Sequence, residues 1–298
     1  MDQSLKNALK DANIHFLCHE PMSLHTTFRI GGPADILIFP KNEAQILESL
    51  TLLRQKKIPC MIIGRGSNLL VNDDGCRGAV LCLSADFSSI TRQHNCLICQ
   101  SGASLAGVAR TARDLALSGL EFACGIPGSI GGAVAMNAGA YGGQMSDVVS
   151  CCRFVDETGA VKTLSGAELD FSYRHSLFSD RSYCITEVTV KLNAGNRDDI
   201  SNQMETLLLK RREKQPLEYP SAGSTFKRPQ GSYASLLIDQ CGLKGLRVGD
   251  AQVSEKHAGF IVNRGTATCC EVLELMRKVK DTVFEKTGFV LEPEVKII

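Results

Sequence analysis

Residues 119–143 read GLEFACGIPGSIGGAVAMNAGAYGG. Eight of these 25 positions are glycine. Glycine reaches positive φ and lets backbone approach a ligand closely, but it brings no side chain to a core. The stretch is therefore expected to build little core and to turn its backbone toward a large ligand. It does not read as a solvated linker, because Phe122, Ile126, Ile130, Val134 and Met136 recur as apolar positions. Gly128-Ser129-Ile130-Gly131-Gly132 opens an alanine-rich turn, where a helix N-terminus facing phosphate oxygens is expected.

Upstream, residues 62–71 read IIGRGSNLLV. Here Gly64 and Gly66 follow an apolar run, with Ser67 and Asn68 next. Such a turn is either a tight reversal after a strand or a nest of backbone N–H groups for phosphate. It is neither a Walker loop nor a GxGxxG fingerprint, since Leu69 stands where a third glycine belongs. Residues 64–78 and 119–143 together hold 12 of the chain's 27 glycines.

The chain has 298 residues, room for about two domains and a real core. A formal net charge of +1 argues against a general nucleic-acid or membrane-surface binder, which usually carries a basic excess. The 13 cysteines show no zinc spacing: Cys96 and Cys99 form one CxxC inside an apolar, strand-like run, without a second pair. They read as buried small side chains, and no metal is expected. The N-terminal residues lack a signal-peptide apolar core, and no apolar stretch is long enough for a membrane span. A soluble, cytoplasmic protein with reduced thiols is expected.

Periodicity predicts a helix over 43–57 between apolar runs at 34–39 and 60–64, a βαβ pattern. It predicts another helix over 104–118, then no clear period over 119–147. Cys151–Asp156, the turn Glu157-Thr158-Gly159 and Val161–Leu164 read as a hairpin, and Tyr183–Leu192 as a strand. A helix follows from Ile200 to the basic run Lys210-Arg211-Arg212, whose cations suit a helix C-terminus, with Pro216 and Pro220 as stops. A last helix is predicted over 271–286 with Gly288 as its stop, then a strand-like tail over 289–298. Boundaries fall near 84 and 197. Residues 1–84 and 85–197 make two glycine-rich α/β parts, and 198–291 an α+β part, with the tail 292–298 returning to the first.

The two glycine stretches together resemble the FAD-binding fold of vanillyl-alcohol-oxidase-type (PCMH-type) flavoproteins. More narrowly, the chain resembles the UDP-N-acetylenolpyruvoylglucosamine reductase family, flavoenzymes of peptidoglycan precursor synthesis. The resemblance extends through HTTFRIGGPAD (25–35), FSYRHSLF (171–178), PSAGSTFKRP (220–229), LIDQCGLKG (237–245), KHAGFIVN (256–263) and LEPEV (291–295). It implies a mixed α/β and α+β chain: a two-part FAD-binding domain and a C-terminal α+β substrate-binding domain.

The resemblance further implies FAD between Gly64, Arg65, Gly66, Ser67 and Asn68 on one side and Gly128, Ser129, Asn137 and Ala138 on the other. No histidine lies in either stretch, so non-covalent FAD is expected. NADPH would be the reductant and UDP-N-acetylglucosamine enolpyruvate the substrate, handled by a monomer. Three residues match the family's catalytic motifs. Arg174 would clamp the substrate carboxylate, Ser224 would protonate carbon, and Glu294 would assist at the carboxylate. Each alone reads as something plainer: a surface ion pair, a turn or cap, a solvated terminal glutamate. Their joint occurrence in matched contexts is what singles them out.

Lys214 reads equally as a diphosphate ligand and as the solvated end of a basic helix. Arg228 stands where some members have Asn and could reinforce diphosphate binding. His257 is a further substrate-side candidate, or a structural histidine. The 50-residue spacing from Arg174 to Ser224 leaves no room for the tyrosine-bearing lid loop of longer members. Two competing readings share the glycine stretches: another flavin-dependent alcohol or hydroxy-acid oxidoreductase, and an inactive nucleotide-binding scaffold.

Overall fold

The computed structural model describes residues 3–298. The described residues form two compact units, one of residues 3–18, 36–65 and 78–210 and the other of residues 19–35, 66–77 and 211–298. The helices are α1 (Gln3–Asp11), α2 (Glu43–Gln55), α3 (Leu105–Asp114), α4 (Ile130–Ala135), α5 (Arg197–Lys214), α6 (Ala234–Gln240) and α7 (Cys269–Thr287).

The first unit holds two apolar clusters. One gathers Leu5 and Leu9 of α1, Ile46 and Leu53 of α2, and Ile36, Ile38, Ala79 and Leu81 from strands. Its sheet runs His15–Pro21, Pro33–Phe39, Cys76–Cys82, Cys60–Ile63 in spatial order. The strands flanking α2 do lie in one sheet, but Cys76–Cys82 stands between them and runs parallel to Cys60–Ile63. Asn42 caps α2 by accepting from the Gln45 N–H.

The second cluster packs on an antiparallel sheet ordered Val161–Ser165, Val149–Val155, Cys184–Lys191, Cys96–Gln100, Ile90–Gln93. The predicted hairpin is its edge, with Cys152 opposite Leu164. Cys99 is fully buried, and burial pushes its thiol up to about 12. All thirteen cysteines are thiols.

The glycine-rich stretch does contribute to this core, against the expectation that it builds little. Leu120, Phe122, Ile130 and Val134 are all buried in the cluster. The segment shows no clear period because it changes conformation every few residues. It passes from a 3-10 turn (Glu121–Ala123) to α4, then to short strands at Gly139–Ala140 and Gly143–Gln144.

In the second unit an antiparallel sheet runs Ser221–Ser224, Phe260–Asn263, Ala251–Val253, Arg247–Val248. Helix α7 covers it with Val272, Leu275, Met276, Val279 and Val283. Thr268 and Glu271 form a capping box at its start, and Gly288 ends it at φ +75°. The C-terminal strand Lys296–Ile297 pairs in parallel with Leu69–Leu70 of the same unit. Among the described residues, no helix is long and apolar enough to cross a membrane.

Candidate functional site

In the first unit the two glycine stretches meet. A Cβ on Gly64 would stand 2.1 Å from the Ser129 Oγ. That hydroxyl caps α4 by accepting from the Gly132 N–H at 3.3 Å. The Ile130 N–H donates to the Ala103 carbonyl at 2.8 Å, and the Gly131 N–H to the Ser101 carbonyl at 2.9 Å. The first three amides of α4 are thus spent inside the protein. The expected phosphate-facing helix N-terminus is not what α4 offers. The amides of Asn137 and Ala138 are likewise committed, to the Val134 and Ala133 carbonyls at 3.1 and 2.8 Å.

One buried group beside these turns lacks a partner. Ser101 is 2% exposed and its Oγ has no hydrogen bond. It ends the strand Cys96–Gln100, and its Cβ lies 2.6 Å from where a Gly131 Cβ would be. Gly64 and Gly128 keep partly exposed backbone along this wall, which fits a polar cofactor laid against it. Gly128, at φ +122°, continues the same wall. Arg65 is exposed, and the turn 64–68 carries the chain from the first unit into the second.

Arg174, also in the first unit, sits in a two-residue turn. Ser172 and His175 exchange backbone hydrogen bonds of 3.1 and 3.2 Å across it. Arg174 is left-handed at φ +55°, a conformation arginine seldom adopts. Its guanidinium donates to the Gly139 carbonyl at 3.4 Å and lies 5.1 Å from the Tyr173 ring centroid. The Asn137 side chain is buried beneath this turn and bonded within it.

The second unit brings together Ser224, Glu294 and Asn68. Ser224 pairs with Phe260 and Ser221 with Val262, so one strand makes three steps where its neighbour makes two. This bulge, with Gly223 at φ +79°, re-aims the strand at Ser224. The Thr225 N–H donates to the Gly259 carbonyl at 2.9 Å, and its Oγ1 accepts from the Ile261 N–H at 3.1 Å. The Glu294 N–H donates to the Thr225 carbonyl at 2.8 Å. Asn68 donates from Nδ2 to the Glu294 carbonyl at 3.0 Å. Ser224, Glu294, Ser67 and Asn68 are all half-buried.

A cleft of about 420 Å³ opens in the second unit between Tyr233, Leu236, Lys244, Lys256 and His257. His257 accepts the Gly259 N–H on Nδ1 at 3.2 Å, and burial lowers its pKa below the usual histidine value. The neutral ring therefore carries its proton on Nε2. Arg228 stacks over Tyr233, with 4.1 Å from Cζ to the ring centroid. Lys256 Nζ donates to the Arg212 carbonyl at 2.6 Å, which ties the cleft to the end of α5. Lys214 is exposed on that last turn. Sequence reading missed Tyr233 as a site residue and named neither Lys244 nor Lys256 as one, though they stand in the LIDQCGLKG and KHAGFIVN blocks. An isolated tyrosine after Gly231-Ser232 carries no periodic signal.

The segment from Arg174 to Ser224 is filled by the strands Cys184–Lys191 and Asn193–Ala194 and by α5, with no inserted lid. Residues 215–298 match the family described as UDP-N-acetylenolpyruvoylglucosamine reductase, C-terminal domain, and residues 34–165 the FAD binding domain family. A UDP-N-acetylenolpyruvoylglucosamine reductase from Caldanaerobacter subterraneus subsp. tengcongensis is 46% identical over 99% of this chain and 96% of its own length. One from Clostridium perfringens is 49% identical over 93% of this chain and 91% of its own length. The crystal structure of the reductase from Thermus caldophilus superposes with a TM-score of 0.81 at 35% identity, covering 95% of this chain and 98% of that one. An alkyldihydroxyacetonephosphate synthase shares the fold alone, with a TM-score of 0.51 at 16% identity over 65% of this chain and 41% of that one. Identity of this extent, on a fold with Ser224 and Glu294 in one ladder, makes the chain a member of the UDP-N-acetylenolpyruvoylglucosamine reductase family.

Proposed function

We propose that the chain reduces UDP-N-acetylglucosamine enolpyruvate to UDP-N-acetylmuramate, with NADPH as reductant and FAD held non-covalently. The observation that carries this reading is the ladder that places Glu294 against Thr225, the residue after Ser224. Family membership supports the substrate and the reductant.

Bound FAD, once reduced by NADPH, would supply the hydride to the enolpyruvyl methylene carbon. The protein's task is to bind, orient and stabilise. Arg174 engages the substrate carboxylate, where a planar guanidinium can donate two parallel hydrogen bonds. Charge that develops there is stabilised by a cation already in place. The Ser224 hydroxyl gives its proton to the neighbouring carbon, a transfer made feasible by the strong basicity of an enolate-like species. Glu294 assists at the same carboxylate.

Gly64, Arg65, Gly66, Ser67, Gly128, Ser129 and Ala138 line the cofactor. The side chains of Asn68 and Asn137 are engaged within the protein. Residues 1–84 and 85–197 form the cofactor-binding parts and 198–291 the substrate part. The apolar clusters follow it only in outline: that of Leu97–Leu192 takes in Ile200 and Met204, and that of Ala222–Val295 takes in Phe28, Ile30 and Leu70. Lys214, Arg228 and His257 face the sugar nucleotide, with Tyr233 offering a ring face in the cleft. A net charge of +1 leaves anion recognition to such local groups. The enzyme works as a cytoplasmic monomer.

The test is anaerobic. The purified protein is yellow, bleaches with NADPH, and regains colour with the enolpyruvyl sugar but not with ketones derived from simple alcohols. A protein that never takes up FAD, or one reoxidised only by the ketones, defeats this reading.

A further inference from the structure

We infer that the Asn137 side chain is a positioning residue that sets Arg174, and not a cofactor ligand. The inference rests on the reading of Arg174 as the carboxylate clamp. Asn137 is 2% exposed and left-handed at φ +43°, a conformation asparagine tolerates better than most residues. Its Nδ2 donates to the Ser172 carbonyl at 2.9 Å and lies 3.4 Å from Gln144 Oε1. Its Oδ1 accepts from the Ser146 N–H at 3.0 Å. Both amide hydrogens are committed inside the loop, so none remains for a cofactor oxygen.

What the bond to Ser172 holds is the turn carrying Arg174. The far end of that turn is tied to the same short segment. Ser176 is fully buried and donates from Oγ to the Ala135 carbonyl at 2.8 Å, and Ser179 donates to the same carbonyl at 2.7 Å. The guanidinium reaches the Gly139 carbonyl, two residues beyond Asn137. Residues 135–139 therefore fix both ends of the turn and the direction of its side chain. A left-handed arginine needs such external bonds to hold its conformation.

The experiment is a double-mutant cycle with Arg174→Ala. Asn137→Asp keeps the acceptor for Ser146 but sets a carboxylate oxygen against the Ser172 carbonyl. Asn137→Gly keeps the left-handed backbone and removes the side chain. In the Arg174 background, either slows reoxidation of the reduced flavin by the enolpyruvyl sugar by about tenfold to a hundredfold. In the Arg174→Ala background, the same changes alter that rate by less than about twofold. The FAD dissociation constant, from fluorescence titration of the apoprotein, stays within about threefold of wild type, because no cofactor contact is lost. Ser176→Ala repeats the cycle should the Asn137 variants not fold. Equal losses in both backgrounds overturn the inference, and so does a fall in FAD affinity that tracks the rate. Arg174→Ala with an undiminished reoxidation rate overturns the clamp reading itself, and this inference with it, before any Asn137 variant is compared.

Discussion

Glu294 donates its backbone N–H to the carbonyl of Thr225 at 2.8 Å, so a residue near the C-terminus is locked in register with the serine strand. The lock has further rungs: Lys227 N–H to the Glu292 carbonyl at 2.8 Å, and a bridge between Phe226 and Pro293. A carboxylate and a hydroxyl seventy residues apart in sequence thereby share one small sheet region. Two polar groups that must act on one carbon-centred reaction gain from backbone registration, because side-chain reach alone leaves their separation loose.

Ser224→Ala separates the two half-reactions. Ser224 is assigned only to protonation of carbon, so flavin reduction by NADPH stays near the wild-type rate. Reoxidation by the enolpyruvyl sugar slows by about two to four orders of magnitude, the range of a lost general acid. Anaerobic stopped-flow absorbance of the flavin reads both. Equal losses in the two half-reactions would assign the defect to folding or cofactor binding instead.

Asn68→Ala tests whether that side chain serves the protein or the cofactor. Its Nδ2 supports the Glu294 carbonyl, and its own carbonyl accepts from the Lys296 N–H at 2.9 Å. Removing the amide takes that donor from a half-buried carbonyl, at about 1–2 kcal/mol. The apoprotein then melts about 2–6 °C lower, the shift expected for that loss in a chain of this size. An unchanged apoprotein melting temperature together with weaker FAD binding would return the side chain to the cofactor.

The long periodic elements were legible in the sequence. The helix read over 43–57 is Glu43–Gln55, and the one read over 271–286 is Cys269–Thr287. Their apolar faces repeat often enough to outweigh any local ambiguity. The helix read over 104–118 ends at Asp114, because Leu117–Ser118 leaves it to pair with Asn193–Ala194. That partner lies some 75 residues away, and no local pattern encodes it. Helix α6 went unread because seven residues give too little period. The strand-like tail is reduced to Lys296–Ile297.

The site was legible by residue type and not by use. Glycine positions marked where backbone had to come close, as Gly64 and Ser129 do. Which amides remained available could not be read, since that depends on acceptors such as the Ala103 and Ser101 carbonyls, supplied by another strand end. The same holds for Asn137, whose partners are a carbonyl at Ser172 and an amide at Ser146.

Glu43 predicts a pH-dependent increment of stability. Arg153 bonds its carboxylate through both Nε and Nη2 at 2.8 Å, and Thr186 Oγ1 adds a third donor at 3.0 Å. The Arg153 hydrogen bonds hold the carboxyl below its ordinary value of 4.5. A folded value below the unfolded one means the contribution is present above about pH 4.5 and is lost as pH falls through the folded value. The pair is solvent-screened but bidentate, so Glu43→Gln costs about 1 kcal/mol at neutral pH. Urea unfolding of both proteins from pH 7 to pH 3 should show the difference closing. A difference constant with pH would mean that charge plays no part in it.

The contact between the glycine stretches makes the last prediction reciprocal. Gly64→Ala places a methyl 2.1 Å from Ser129 Oγ and 3.2 Å from its Cβ. Ser129 is buried and its hydroxyl caps α4, so it cannot swing away without releasing the Gly132 N–H. The single substitution should cost about 1–3 kcal/mol, the usual penalty of overpacking. Ser129→Gly alone should cost only a few tenths of a kcal/mol as a cap, roughly the glycine-for-serine difference. It also removes both atoms that meet the new methyl. The double variant Gly64→Ala/Ser129→Gly should therefore be more stable than Gly64→Ala alone, a coupling opposite in sign to two independent losses. Chemical unfolding of the four proteins measures the cycle. Additive losses would show that the methyl strains the turn at Gly64 itself and does not act through Ser129.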